Sequence, residues 1–262
     1  MASNEVVLIT GASSGIGEAL ARRVARDGRS VAITARRTER LEETAKEIRS
    51  AFGVDTHVLT QDLSDPGAPE TLAAQIEERG LVVDWLVNNA GFGTHGRFAD
   101  MPLERELQEI RLNVMALVEL THRFLPGMLR RGRGLVMNVA SVGAYIPSPY
   151  MATYTATKAF VLAFSEALSV ETKDTGVNVL CVCPGFTRTE FQHNVEEGVA
   201  NRAPEFAWMS AADVADEAVR NGQRSGVLVS GLRNRLTTAV LKMTPRSVIT
   251  SMAGSLLRPS QG

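Results

Sequence analysis

The first 190 residues alternate between short, β-branched apolar runs and longer helical patterns, and no other feature narrows the fold as far. EVVLIT (5–10), SVAITA (30–35), VDTHVLT (54–60), VVDWLV (82–87), GLVMNVA (134–140) and VNVLCVC (177–183) have the length and make-up of strands. Between them, GEALARRVARDG, RRTERLEETAKEIRSAFG, PETLAAQIEERG, a long stretch from Leu103 to Arg131, and TYTATKAFVLAFSEALSVETKDTG repeat their apolar residues at helical spacing. Several end at Gly, which tolerates the left-handed conformation that closes a helix. One more helix, AADVADEAVRNG, precedes a seventh run, GVLVSG (226–231). Strands separated by helices pair in parallel and need cover on both faces. Right-handed crossovers then build an open, doubly wound, three-layer α/β sheet whose ligands bind outside the carboxyl ends of the strands. No repeat, low-complexity block or linker interrupts the pattern, so residues 1–231 are expected to form a single domain.

With 44% hydrophobic and 22% charged residues, the 262-residue chain has the means to build a packed core. MASNEVVLIT lacks the basic, apolar and small-residue regions of a secretory signal. Asp84 and Asn88 break the apolar stretch LVVDWLVNNAG well short of a membrane span. Cys181 and Cys183 share one face of a strand and have no His or Cys cluster beside them. They are expected to be buried thiols in a reducing, cytoplasmic setting, and no metal site is expected. Charge is unevenly placed. Residues 218–262 hold seven Lys or Arg and no acid, so within a net charge of −1 the preceding residues carry −8. So basic a tail suits an anionic partner or surface, but it is too sparse for nucleic acid and carries no recognition motif.

The first strand runs straight into TGASSGIGEALARRVA. Gly11, Gly15 and Gly17, with Ser13, Ser14 and Ile16 between them, make the glycine turn of a Rossmann-type dinucleotide site. Glycines there let the backbone approach a pyrophosphate, whose charge meets the free N–H groups of the helix N-terminus. An NAD site carries an acid about 20 residues on, for the ribose 2′-hydroxyl. Here Arg36 and Arg37 follow the second strand, with no carboxylate before Glu39. Forked, permanently charged donors suit a 2′-phosphate, so NADP(H) is expected; the bland alternative is that the two arginines only begin a solvated helix. Tyr154 and Lys158, in YTATK, pose a separate question. Of the three tyrosines, at 145, 150 and 154, only Tyr154 has a lysine four residues on, and on a helix that spacing puts both side chains on one face.

TGASSGIG (10–17), Asp62–Leu63, NNAG (88–91), Asn113, Ser141, YTATK and PGFTRT (184–189) occur in order, each at a fitting place relative to a strand. Over about residues 4–190 the chain thereby resembles the short-chain dehydrogenase/reductase family. The resemblance implies an oxidoreductase interconverting a ketone or aldehyde and an alcohol. It also implies a homodimer or homotetramer formed through the helices that contain Asn113 and Tyr154. Asn113, Ser141, Tyr154 and Lys158 match the family's catalytic tetrad. Asp62, followed by Leu63, matches the residue that contacts the adenine amino group. Asn89, Ala90 and Gly91 match those bordering the cofactor after the fourth strand, with Asn88 supporting the sheet. Pro184 and Gly185 match the turn after the sixth strand, and Thr189, with Thr187 beside it, the residue that holds the nicotinamide carboxamide.

The chemistry agrees with that assignment. Hydride delivery to a ketone leaves an alkoxide that must be protonated, and a free phenol is a sluggish acid at neutral pH. An ammonium one helical turn away favours phenolate, so Lys158 is expected to lower the pKa of Tyr154. In the family pattern Lys158 also binds the nicotinamide ribose, Ser141 steadies the substrate oxygen, and Asn113 anchors a water that relays protons to Lys158. Two other readings stand beside this one. One is a dinucleotide-sensing or scaffold protein that keeps the fold without the chemistry; the other is an NAD-dependent alcohol dehydrogenase.

Substrate-facing segments are expected at 92–98, 142–150 and 186–209. The last is read as a lid containing Phe191, Phe206, Trp208 and Met209. Tyr145 and Tyr150 are expected to line the pocket or pack, and His95 to be a loop residue beside it. The apolar set points to a hydrophobic carbonyl compound of fatty-acyl, steroid-like or aryl type. After Gly231, the basic extension 232–262 is not an independent domain. It repeats Leu236, Val240 and Leu241, then Val248, Ile249, Met252, Leu256 and Leu257, at helical spacing on either side of Pro245. Such a helix pair either lies on an anionic membrane as a peripheral contact or packs on its own or a neighbouring subunit.

Overall fold

The structure, a computed structural model, describes residues 4–190 and 205–258, without the side chain of Phe206. Strands and helices alternate in the order β1 (Glu5–Thr10), α1 (Gly15–Arg26), β2 (Val31–Ala35), α2 (Thr38–Phe52), β3 (Thr56–Thr60), α3 (Ala68–Glu78) and β4 (Val82–Asn88). There follow α4 (Leu103–Ile110), α5 (Ala116–Arg131), β5 (Gly134–Val139), α6 (Ala152–Glu171) and β6 (Val177–Cys183). Two short strands, β7 (Thr187–Arg188) and β8 (Met209–Ser210), lead to α7 (Ala211–Arg220), β9 (Gly226–Val229), α8 (Leu232–Met243) and α9 (Arg246–Leu257). Seven strands form one sheet in the order β3-β2-β1-β4-β5-β6-β9, every neighbour parallel. The winding reverses between β1 and β4, which opens a crevice at their carboxyl ends.

Residue alternation sorts the core into two layers. Val7 and Ile9 of β1 face one way, onto Leu20 and Val24 of α1, Leu41 and Ile48 of α2, and Val214 and Ala218 of α7. Val6 and Leu8 face the other way, onto Leu72 of α3, Leu120 of α5 and Leu168 of α6. A buried polar chain crosses the second layer. Asn88 and Asn138 stand opposite each other on β4 and β5. Asn88 donates to Asn138 (2.9 Å) and Thr121 (3.1 Å), and Asn138 donates to Ser165 (2.9 Å). Buried amides without partners would cost about 1–3 kcal/mol each; paired, they tie α5 and α6 to the sheet in one register. Cys181 and Cys183 are free, buried thiols on one face of β6, their Sγ atoms 3.9 Å apart.

Two segments depart from the expected pattern. The stretch from Leu103 to Arg131 is not one regular helix, because Arg111–Met115 form a π-helical turn between α4 and α5. Such turns insert one residue into a helix and are frequent at functional sites, and this one carries Asn113. The basic extension forms α8 and α9. Ile249, Ala253 and Leu257 of α9 are buried, while Leu236, Val240 and Met243 of α8 and Val248, Met252 and Leu256 of α9 are exposed. No helix among the described residues is long and apolar enough to cross a membrane.

Candidate active site

At the crevice, β1 ends in the glycine turn and β4 ends in Asn88–Gly91. Gly17 has to be glycine, since a Cβ there would run into the Gly11 carbonyl oxygen and the Asn89 amide. Asn89 turns its side chain onto that turn, donating to the carbonyls of Thr10 (2.9 Å) and Gly11 (3.3 Å). The Thr10 hydroxyl accepts from the backbone N–H of Asn89 and of Ala90. The two strand ends are thereby laced into one bare-backbone cradle at the start of α1, of the kind a dinucleotide pyrophosphate needs. On this ground the residues present fit a nicotinamide dinucleotide.

Arg36 and Arg37 diverge. Arg37 donates to the Ser13 hydroxyl (3.1 Å) and pairs with Glu190 (2.8 Å). Its guanidinium holds the Glu190 carboxyl below the usual carboxylate range. Arg36 instead lies 3.6 Å from Asp62, whose other oxygen accepts from the Ser64 N–H and hydroxyl. Leu63 is buried beside it. Beyond β6, Asn234 of α8 lies so close to Gly185 that a Cβ there would overlap its amide. The Thr187 hydroxyl bonds the Gly185 carbonyl (3.0 Å), and Thr189 lies against Gly15.

The predicted tetrad gathers on the other side of Gly91. Tyr154 is in the first turn of α6 and Lys158 one turn further on. Ser141, at the end of β5, hydrogen-bonds the Tyr154 side chain and accepts from the Gly143 N–H (3.0 Å). The Lys158 ammonium is buried and donates to the Val139 carbonyl (2.9 Å). The Asn113 amide is locked: it donates to the Phe92 carbonyl (2.9 Å) and the Thr157 hydroxyl (3.0 Å), and its oxygen accepts from the Phe92 N–H (3.1 Å). A Cβ on Gly91 would lie 2.9 Å from that oxygen and 3.4 Å from Lys158 Nζ, so glycine is what lets the two converge.

One electrostatic expectation is corrected. The Tyr154 phenol is not lowered: burial pushes it up to about 12, against the Ser141 hydrogen bond and with Glu109 adding to the rise. The Lys158 ammonium lies 5.9 Å from the centre of the Tyr154 ring, engaged with Val139. Desolvation outweighs it at this spacing. Burial also brings Lys158 itself down to about 8.

The C-terminal extension packs beside Tyr154. Met151, Ala253 and Leu257 form an apolar cluster against which Ile146, Tyr150 and Tyr154 pack. His95 hydrogen-bonds the Leu257 carbonyl (2.8 Å), which ties the 92–98 loop to the end of α9. Tyr145 packs in a different cluster, beside Cys181 and Cys183, rather than on Tyr154. Trp208 stacks at a tilt on Phe186 (5.4 Å). Phe191 and the Phe206 side chain lie outside the described residues. Sequence reasoning did not place α9 beside Tyr154, and it missed Thr94 and Glu109, which are bonded to each other, Glu109 acting electrostatically on Tyr154 and Lys158. Glu106 and Glu109 lie in the polar stretch LERELQEI of α4, where nothing local signals burial.

Comparison with known proteins gives the family of the fold. The family described as short chain dehydrogenase matches residues 5–200. The 7beta-hydroxysteroid dehydrogenase of Collinsella aerofaciens is 33% identical over 229 residues, covering 87% of this chain and 86% of its own. A solved 7beta-hydroxysteroid dehydrogenase superposes with a TM-score of 0.87 at 31% identity, over 95% of this chain and 96% of that one. A short-chain dehydrogenase from Sphingobium yanoikuyae, solved in complex with NADPH, gives 0.82 at 32% identity, over 98% of both chains. Three quarters of the chain, including both halves of the crevice, fall within the matched segment, and this protein belongs to the short-chain dehydrogenase/reductase family of oxidoreductases.

Proposed function

We propose that the protein is an NADP(H)-dependent reductase/dehydrogenase that interconverts a hydrophobic ketone and its alcohol. The observation that carries this reading is the convergence of Tyr154, Ser141, Lys158 and Asn113 beside a glycine cradle at one end of the sheet. The cofactor, when bound, supplies the hydride. Gly11, Ser13, Ser14, Gly15, Ile16 and Gly17 would hold its pyrophosphate, and Arg37 with Ser13 the 2′-phosphate of NADP(H). Asp62 and Leu63 would border the adenine. Asn89, Ala90, Gly91, Pro184, Gly185, Thr187 and Thr189 would shape the nicotinamide end.

Tyr154, whose phenol is pushed up to about 12 and, like an ordinary phenol, is protonated at neutral pH, donates its proton to the substrate oxygen. Ser141 holds that oxygen, and the Lys158 charge steadies the phenolate as it forms. The N-terminus of α6 adds to this, since its dipole favours negative charge in the first turn. Asn113, fixed by three hydrogen bonds, positions a proton-relay water. NADP(H) is supported by Arg37, and by a relative described in complex with NADPH. A bulky substrate of steroid-like type is supported by the apolar wall of Ile146, Tyr150 and Leu257 and by the 7beta-hydroxysteroid dehydrogenase relatives. Exposed Ile110, Met115, Phe160 and Val170 on α4–α6 support a homo-oligomer. Buried free thiols support a cytoplasmic setting, and for the extension the buried inner face of α9 favours packing on its own subunit.

The test is Tyr154→Phe, assayed for NADPH oxidation with steroid, aryl and fatty-acyl ketones. Loss of turnover of about 10²-fold or more, with NADPH affinity retained, is expected. Wild-type turnover by the variant would refute the assignment.

A further inference from the structure

Two buried acids stand directly behind the residues that the proposed reaction uses. Glu106 and Glu109, three residues apart on α4, are 5% and 0% exposed. Glu109 Oε2 accepts from both the N–H (3.0 Å) and the hydroxyl (2.8 Å) of Thr94. Its Oε1 is buried with no hydrogen-bond partner among the described residues, and so is Oε1 of Glu106. The second oxygen of Glu106 takes the Thr153 hydroxyl, on the first turn of α6.

Glu109 precedes Asn113 by one helical turn and acts electrostatically on both Tyr154 and Lys158. The ionisable groups around it are Glu106 on its own helix and Tyr154 and Lys158 on α6; the 92–98 loop contributes Thr94, while His95 reaches to the Leu257 carbonyl. Packing alone gives no reason for an acid here, because an amide oxygen would accept from Thr94 equally well. Burial pushes Glu109 up to about 7, with Glu106 adding and the Thr94 bonds and Lys158 opposing. Lys158 is brought down to about 8. Two groups with nearly matched proton affinities exchange a proton at little cost.

We propose that Glu109 is a positioning residue for proton supply: it stores the proton that Lys158 draws on after Tyr154 protonates the substrate oxygen, and Glu106 with Thr153 leads from it toward solvent. The proposal rests on the reading of Tyr154 as acid. In the reductive direction the Tyr154 O–H bond breaks as the alcohol O–H bond forms. The phenolate regains a proton from the Lys158 ammonium, and the amine takes one from the Glu109 carboxylic acid. The resulting carboxylate is reprotonated from solvent past Glu106. Only protons move in these steps.

Glu109→Gln tests this, with NADPH and a ketone that the wild type reduces. We expect kcat to fall about ten-fold or more with KM and NADPH affinity unchanged. The decline of wild-type kcat as pH rises through about 7 should vanish in the Gln variant and return in Glu109→Asp. A Gln variant with the wild-type kcat and pH profile overturns the proposal. Should that variant not fold, the wild type decides, because a kcat flat through about 7 also overturns it. Tyr154→Phe run alongside separates the two readings. Loss of activity there with an unaffected Gln variant refutes the role of Glu109 alone, whereas an active Phe variant removes the tetrad reading and this one with it.

Discussion

Arg37 and Glu190 meet on the glycine turn, 2.8 Å apart, where the proposed preference for NADP(H) would be set. Arg37 is held over Ser13, where a 2′-phosphate would displace the Glu190 carboxylate from the same guanidinium. Charged hydrogen bonds contribute about 1.5–3 kcal/mol, and the half-exposed setting of this one argues for the lower end. Arg37→Ala is therefore expected to weaken NADPH binding about ten-fold while NADH binding stays the same, as read by fluorescence titration. Glu190→Gln removes the competing carboxylate and is expected to tighten NADPH binding, the more so at low salt. Arginine after the second strand was legible in the sequence, with a 2′-phosphate as its expected ligand. That Arg36 turns to Asp62 and only Arg37 to the cradle was not, because the choice depends on where β3 brings Asp62. Tyr154 and Lys158 were legible as a pair from their spacing. Their electrostatics were not, since burial rather than proximity sets the Tyr154 shift.

Between α4 and α5 the π-helical turn decides where Asn113 points, and it lets both the amide and the oxygen engage the 92 backbone. The long apolar periodicity of 103–131 concealed that break, because one inserted residue hardly alters a helical pattern. At the other end of the chain, α9 buries Ile249, Ala253 and Leu257 and leaves its opposite face in solvent. From the sequence alone, a membrane surface, a partner subunit and the chain's own surface were equally acceptable destinations for such a stripe. Packing against Ile146, Tyr150 and Tyr154 seats α9 on its own chain beside Tyr154, where the proposed function makes it part of the substrate wall. Leu257→Ala is expected to cost about 2–3 kcal/mol of local docking energy. Steady-state kinetics should show KM for a steroid ketone rising several-fold while NADPH affinity is unaffected.

Across the whole molecule, Glu109 and Lys158 make stability depend on pH in opposite senses. Glu109 ordinarily titrates at 4.5 and here at about 7, so the native state keeps a proton that the unfolded chain has lost. Its contribution is complete below 4.5 and is lost as pH rises through about 7. Lys158 is shifted from 10.5 to about 8, so its contribution is present above 10.5 and is lost as pH falls through about 8. Each shift is worth on the order of 3 kcal/mol. Thermal melting should therefore pass through a minimum between about 7 and 8, and Glu109→Gln should abolish the falling limb on the acid side. What the sequence by itself determined is the parallel sheet, the glycine cradle and the residue types of the tetrad. Each of those rests on periodicity or on a spacing within one element, and local order is enough to carry them. What only the tertiary structure decided is which groups lose their water: that Glu109 and Lys158 are buried together, that burial pushes the Tyr154 phenol up, and that the C-terminal helix packs beside Tyr154. Burial is a property of surfaces distant in sequence coming into contact, and desolvation, more than residue identity, sets the charge each group carries.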